Sequence, residues 1–129
     1  MRISRAINIS CFRIISACLF FLFTHNALAV DIEGTYEALG SNPGGQGNYK
    51  GTVMISKEKN TYKLVWSIGS IYIGTGILTD NVLSVSFADK KKSWFGVVSY
   101  KVKKNGKLLD GRWAEHNGTK LGKEVLTKL

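Results

Sequence analysis

A two-residue rhythm runs through almost all of Val30 to Leu129, and it limits the fold more than any other feature. Tyr49, Gly51, Val53 and Ile55 fall on one face, with Lys50, Thr52, Met54 and Ser56 on the other. Tyr62, Leu64, Trp66 and Ile68 repeat the pattern against Thr61, Lys63, Val65 and Ser67. Trp94, Gly96, Val98, Tyr100 and Val102 continue it, and Leu83, Val85 and Phe87 follow over a shorter span. This is the period of a strand with one buried face. Turn signals interrupt it about every ten residues: Glu58-Lys59-Asn60, Gly69-Ser70, Asp80-Asn81, Asp89 to Ser93, Asn105-Gly106 and Asn117-Gly118. The two Asn-Gly pairs suit tight type I′ turns, which need positive φ at both central residues. Eight strands are predicted, near 32–39, 49–57, 61–68, 71–79, 82–88, 94–104, 107–115 and 119–127.

Sequential antiparallel strands lose their exposed edges by closing into an up-and-down barrel or by folding into a two-layer β-sandwich. Short turns and the lack of a long crossover favour an all-β, eight-stranded antiparallel up-and-down barrel. Glycines within strands (Gly34, Gly51, Gly74, Gly76, Gly96, Gly111 and Gly122) suit sharp bends and close backbone approach. The aromatic residues Tyr36, Tyr49, Tyr62 and Trp66 fall mostly on inward positions, as do Phe87, Trp94, Tyr100 and Trp113. They are expected to fill the interior, the alternative being the wall of a small apolar pocket.

Residues 1–29 have a different character. Arg2, Arg5 and Arg13 precede an apolar run from Ile14 to Phe23, and Ala27-Leu28-Ala29 ends the segment in a small-x-small pattern. These are the three parts of a cleavable signal peptide. The apolar run is about half the ~20 residues that a membrane-spanning helix needs. Cleavage after Ala29 would leave one domain, 30–129, periplasmic or secreted and with no transmembrane segment. Both cysteines, Cys11 and Cys18, fall in the tag, so the domain has neither a disulfide nor a thiol. Ile15-Ser16-Ala17-Cys18 also has the form of a lipoprotein cleavage box. Arg13 leaves no apolar stretch before it, and a greasy run follows where a polar tether belongs. Removing the tag's three arginines from 18 basic residues leaves 15 against nine acids, about +6. That balance favours an anionic surface or an acidic protein as partner, and export argues against nucleic acid.

Catalysis needs converging groups, and the domain offers few. Its one histidine, His116, stands beside a turn and is expected to be exposed. No serine has a nucleophile-elbow setting, and a zinc site would lack cysteine and a second histidine. No catalytic residue, metal or cofactor is expected. Asp110 and Arg112 should form an exposed ion pair opposite Leu109, Gly111 and Trp113; a reversed register would turn them inward as a polar hook. Asp31, Glu33 and Glu37 form an acidic face expected to meet lysines of an adjoining strand. Two surface regions are candidates for binding. Lys90, Lys91 and Lys92 precede Trp94, and Lys101, Lys103, Lys104 and Lys107 surround the next turn; together they would make one basic end. Protection of strand edges is the plainer role for such lysines. The loop around Asn42, Pro43, Gly44, Gly45 and Gln46 reads as a mobile loop at the barrel mouth.

Several segments form an ordered series: Gly34-Thr35-Tyr36-Glu37, Asn48-Tyr49-Lys50-Gly51-Thr52-Val53, Tyr62-Lys63-Leu64-Val65-Trp66, Gly74-Thr75-Gly76, Gly111-Arg112-Trp113 and Leu121-Gly122-Lys123-Glu124. The series resembles small exported proteins of gamma-proteobacteria such as Legionella, mostly uncharacterised, some labelled fibronectin-binding. The Gly-Thr-Tyr start and the Gly-Arg-Trp strand also faintly resemble avidin-type barrels, without an identifiable biotin-binding set. The resemblance implies a barrel and, through the label, a host matrix protein such as fibronectin as partner. The leading expectation is a non-enzymatic exported binding protein acting through its loops or basic end. The alternative is a carrier with a cavity for a small apolar ligand. The sequence leaves the oligomeric state open.

Overall fold

The computed structural model describes residues 29–129; the signal peptide expected over 1–29 therefore lies, apart from Ala29, outside the described residues. The described chain is a closed barrel of eight antiparallel strands in sequential order. They are β1 Gly34–Ser41, β2 Asn48–Glu58, β3 Thr61–Ser67, β4 Ile71–Thr79, β5 Val82–Asp89, β6 Phe95–Lys103, β7 Leu108–Glu115 and β8 Gly122–Lys128. β1 pairs with β8 from Tyr36↔Lys128 to Ser41↔Lys123, which leaves no free sheet edge. The sandwich alternative is thereby excluded. Among the described residues no helix is long and apolar enough to cross a membrane.

The alternation predicts the inward face correctly. Val53, Ile55, Leu64, Trp66, Leu83, Val85, Val98, Tyr100, Leu109 and Trp113 are all buried. Asp110 and Arg112 lie outside as an ion pair at 2.9 Å, and Lys103 joins Asp110 at 3.1 Å. Of the expected acidic face, Glu37 meets Lys50 at 3.6 Å, whereas Glu33 accepts the backbone N–H of Lys57 and Asp31 precedes the strand.

The inward glycines answer a packing need. Gly96 pairs with Phe87, Gly111 with Tyr100 and Gly122 with Trp113. Each ring leans over its partner glycine, where a Cβ would collide with it; at Gly111 the Tyr100 ring would lie 2.6 Å away. Glycine therefore creates the space that lets bulky rings enter a narrow barrel.

The Asn-Gly turns differ from the expected pair of type I′ turns. Lys104, Asn105 and Gly106 all have positive φ (50°, 54° and 86°), in a longer connection. At the second, only Asn117 is left-handed (φ 59°), and the N–H of Gly118 donates to Glu115 O at 2.8 Å.

The two ends differ. At one, the segment before β1 folds under the barrel as a floor: Ile32 is fully buried, and the Tyr36 hydroxyl reaches Ile32 O (2.9 Å) and Gly106 O (2.7 Å). At the other, the connections β1–β2, β3–β4, β5–β6 and β7–β8 surround an open mouth.

Candidate functional site

Four inward side chains meet below the mouth. Tyr49, Trp66, Tyr100 and Glu124 come from β2, β3, β6 and β8. Glu124 is the one buried charged side chain among the described residues, at 3% exposure. Its Oε2 accepts the Tyr49 hydroxyl at 2.8 Å. Its Oε1 accepts Trp66 Nε1–H at 3.0 Å and the hydroxyl of Tyr100. Burial, reinforced by the charge of Glu124, pushes the phenols of Tyr49 and Tyr100 well above their ordinary value. Both remain protonated donors at neutral pH. Three donors can hold a carboxylate that would otherwise be costly to bury.

Above Glu124 lies a cavity of about 240 Å³ lined chiefly by aromatic residues. Phe87 stands at the centre of the wall, its ring centroid 6.1 Å from Trp66, 5.4 Å from Trp94 and 6.0 Å from Trp113. Tyr72 extends the wall, 5.3 Å from Trp94. Most of these contacts are tilted or edge-to-face, the geometry that ring quadrupoles favour. Trp66, Trp94 and Trp113 are all three tryptophans of the chain, and all line the cavity.

The turn after β5 positions Trp94. Asp89 accepts the backbone N–H groups of Ser93 (2.8 Å) and Trp94 (3.1 Å) and the Ser93 hydroxyl (2.7 Å). The hydroxyl bond, then the backbone bonds, hold the Asp89 carboxyl below its usual value. The indole N–H of Trp94 donates to Glu115 across the rim at 3.0 Å. Trp113 Nε1 is buried with no hydrogen-bond partner among the described residues. It is the one fully buried polar group of the aromatic wall left without a partner.

The expected single basic end is not formed. Successive connections of an up-and-down barrel alternate between its ends. Lys90, Lys91 and Lys92, with Trp94, therefore stand at the mouth, while Lys101, Lys103, Lys104 and Lys107 gather at the floor. One strand, β6, separates the two groups by roughly 25–30 Å. Lys103 is moreover committed to Asp110. Trp94 also lines the cavity.

The loop of Asn42, Pro43, Gly44, Gly45 and Gln46 does stand at the mouth, and Asn42 lines the cavity. In place of a loose loop it forms a hydrogen-bonded turn, Pro43–Gly45. Asn42 N–H donates to Gly47 O, Asn42 Nδ2 to Gln46 O, and Gly44 N–H ties the turn to Leu121 O. His116 is exposed as expected and stacks on Phe95, centroids 4.2 Å apart.

The expected filling of the interior holds only near the floor; toward the mouth the same rings form a wall. Sequence reasoning missed Glu124 and Tyr72. Glu124 shares the inward phase of Gly122 and Leu126, so a charge at a core position was the available signal. Tyr72 shares the phase of Gly74 and Gly76.

No protein-family model matches the chain, and neither does any curated protein.

Proposed function

We propose that this is an exported, non-enzymatic barrel that binds a small ligand at its open mouth. The observation that supports it is the cavity itself: about 240 Å³, walled by aromatic rings and floored by one buried, hydrogen-bonded carboxylate. Concave, mostly apolar sites with few fixed polar groups are the usual form of a small-molecule pocket. An empty apolar cavity of ~150 Å³ already admits benzene, so the space suffices for a compact ligand. Binding to a matrix protein such as fibronectin, or to an anionic surface, has less support, because the lysines that were to form one patch are divided between two ends.

The tryptophans supply the assay. All three line the pocket, so a bound molecule should change intrinsic fluorescence in a saturable way. At a hundredfold excess over Kd it should also stabilise the fold by about 2.7 kcal/mol, read as a rise in Tm. A panel of small aromatic, aliphatic and cationic compounds tests this. If none alters fluorescence or Tm, while an immobilised matrix protein retains the chain through Lys90, Lys91 and Lys92, the pocket reading fails.

A further inference from the structure

We propose that the group this pocket takes is a methylated ammonium, the compact cation found at the head of choline or betaine, seated among the rings with Glu124 beneath it. This deepens the small-ligand reading and rests on it.

The sign of charge comes first. Glu124 is the one charged residue lining the cavity, and none of the lining residues is basic. The ion pairs found among the described residues join Glu37, Asp110 and their surface partners, not Glu124. An anionic ligand would bring a second negative charge to a desolvated carboxylate. It would also find only two uncommitted aromatic donors among the described residues of the lining, Trp113 Nε1–H and the Tyr72 hydroxyl, because the indole N–H groups of Trp66 and Trp94 and the hydroxyls of Tyr49 and Tyr100 already point at carboxylates. The lysines at the mouth end lie outside the lining.

The wall comes next. Trp66, Tyr72, Phe87, Trp94 and Trp113 line the cavity, and the quadrupole of an aromatic ring attracts a cation, most strongly once water is excluded. Hydrogen-bond capacity then separates one cation from another. Oε1 of Glu124 already accepts two bonds and Oε2 one. Little acceptor capacity remains for the three N–H donors of a primary ammonium, and each one left unpaired in a buried site is costly. A trimethylated ammonium has no donor to satisfy. It presents methyl groups to the rings and charge to the carboxylate.

The experiment is a fluorescence titration of the protein with choline and with 3,3-dimethylbutan-1-ol, which has the same shape with carbon in place of charged nitrogen. Choline should bind saturably and about tenfold or more tighter than the neutral alcohol. Glu124→Gln should reduce that preference to below about threefold. Trp94→Leu, which keeps an apolar side chain and removes a ring, should weaken choline more than the alcohol. It stands as the deciding variant if far-UV circular dichroism shows Glu124→Gln unfolded. Equal affinity for the two compounds overturns the proposal. So does failure of both when a neutral ring such as indole binds, an outcome that leaves the pocket reading intact. Failure of all three removes both.

Discussion

The Tyr36 hydroxyl carries one proton and faces two carbonyls, those of Ile32 and Gly106. Burial, helped by the charge of Asp31, pushes this phenol up to about 12. In the unfolded chain it would ionise near 10.0. Its contribution to stability is therefore complete below pH 10 and is lost as pH rises through 12. Tyr36→Phe should cost about 1–3 kcal/mol at neutral pH, because a buried carbonyl loses its donor. It should also remove one proton from the alkaline slope of stability between pH 10 and 12, measurable by urea unfolding at a series of pH values. An unchanged slope would mean that the hydroxyl does not close the floor. Glu124 shows the limit of the sequence at this scale. Its inward phase is visible from Gly122 and Leu126, but an inward charge becomes intelligible only beside its donors. Those donors lie on β2, β3 and β6; Tyr100 reaches Glu124 across Gly111 of β7, but Tyr49 and Trp66 meet it only when β1 pairs with β8.

Strands and their faces were legible because alternation is a local property. Predicted and observed boundaries differ by up to three residues, and the departures at the starts of β1 and β8 have physical causes. β1 starts at Gly34, not near 32, because Ile32 turns beneath the barrel to become its floor. β8 starts at Gly122, not near 119, because residues 116–121 form the rim and Leu121 O receives Gly44 N–H. The glycines were expected to allow close approach, but what approaches was not legible. Cross-strand register sets Gly96, Gly111 and Gly122 each against a ring on the preceding strand, and register is set by the closed sheet. The consequence can be measured. Gly111→Ala sets a methyl group against the Tyr100 ring and near Glu124 O, whereas Gly76→Ala meets the flexible ends of Leu83, Val85 and Leu64 at 3.0–3.4 Å. Gly111→Ala should cost about 1–3 kcal/mol, the usual range for an overpacked core, and Gly76→Ala less. Urea midpoints in the reverse order would refute this account of the glycines.

At the scale of the molecule, the barrel is two different ends joined by one wall. The parity of its connections explains both the divided lysines and the division of labour. Even a purely sequential barrel dictates that Lys90–Lys92 and Lys104–Lys107, one strand apart, point to opposite ends; the two basic clusters could share an end only if the topology were different. The floor is sealed by Ile32 and Tyr36, and the mouth holds all the tryptophans around Glu124. Sites separated by more than about 7–10 Å and sharing no partner usually contribute additively. Ile32→Ala should therefore destabilise the domain by about 2–4 kcal/mol through a cavity at the floor, while ligand affinity at the mouth stays unchanged. Circular dichroism reports the whole sheet, and tryptophan fluorescence reports only the mouth. Their unfolding curves should still coincide, because a closed ladder of hydrogen bonds has no strand that can leave alone. A mouth that melts before the sheet in Ile32→Ala, or a fall in affinity parallel to the fall in stability, would show that the floor holds the pocket in shape and that the two ends are mechanically one.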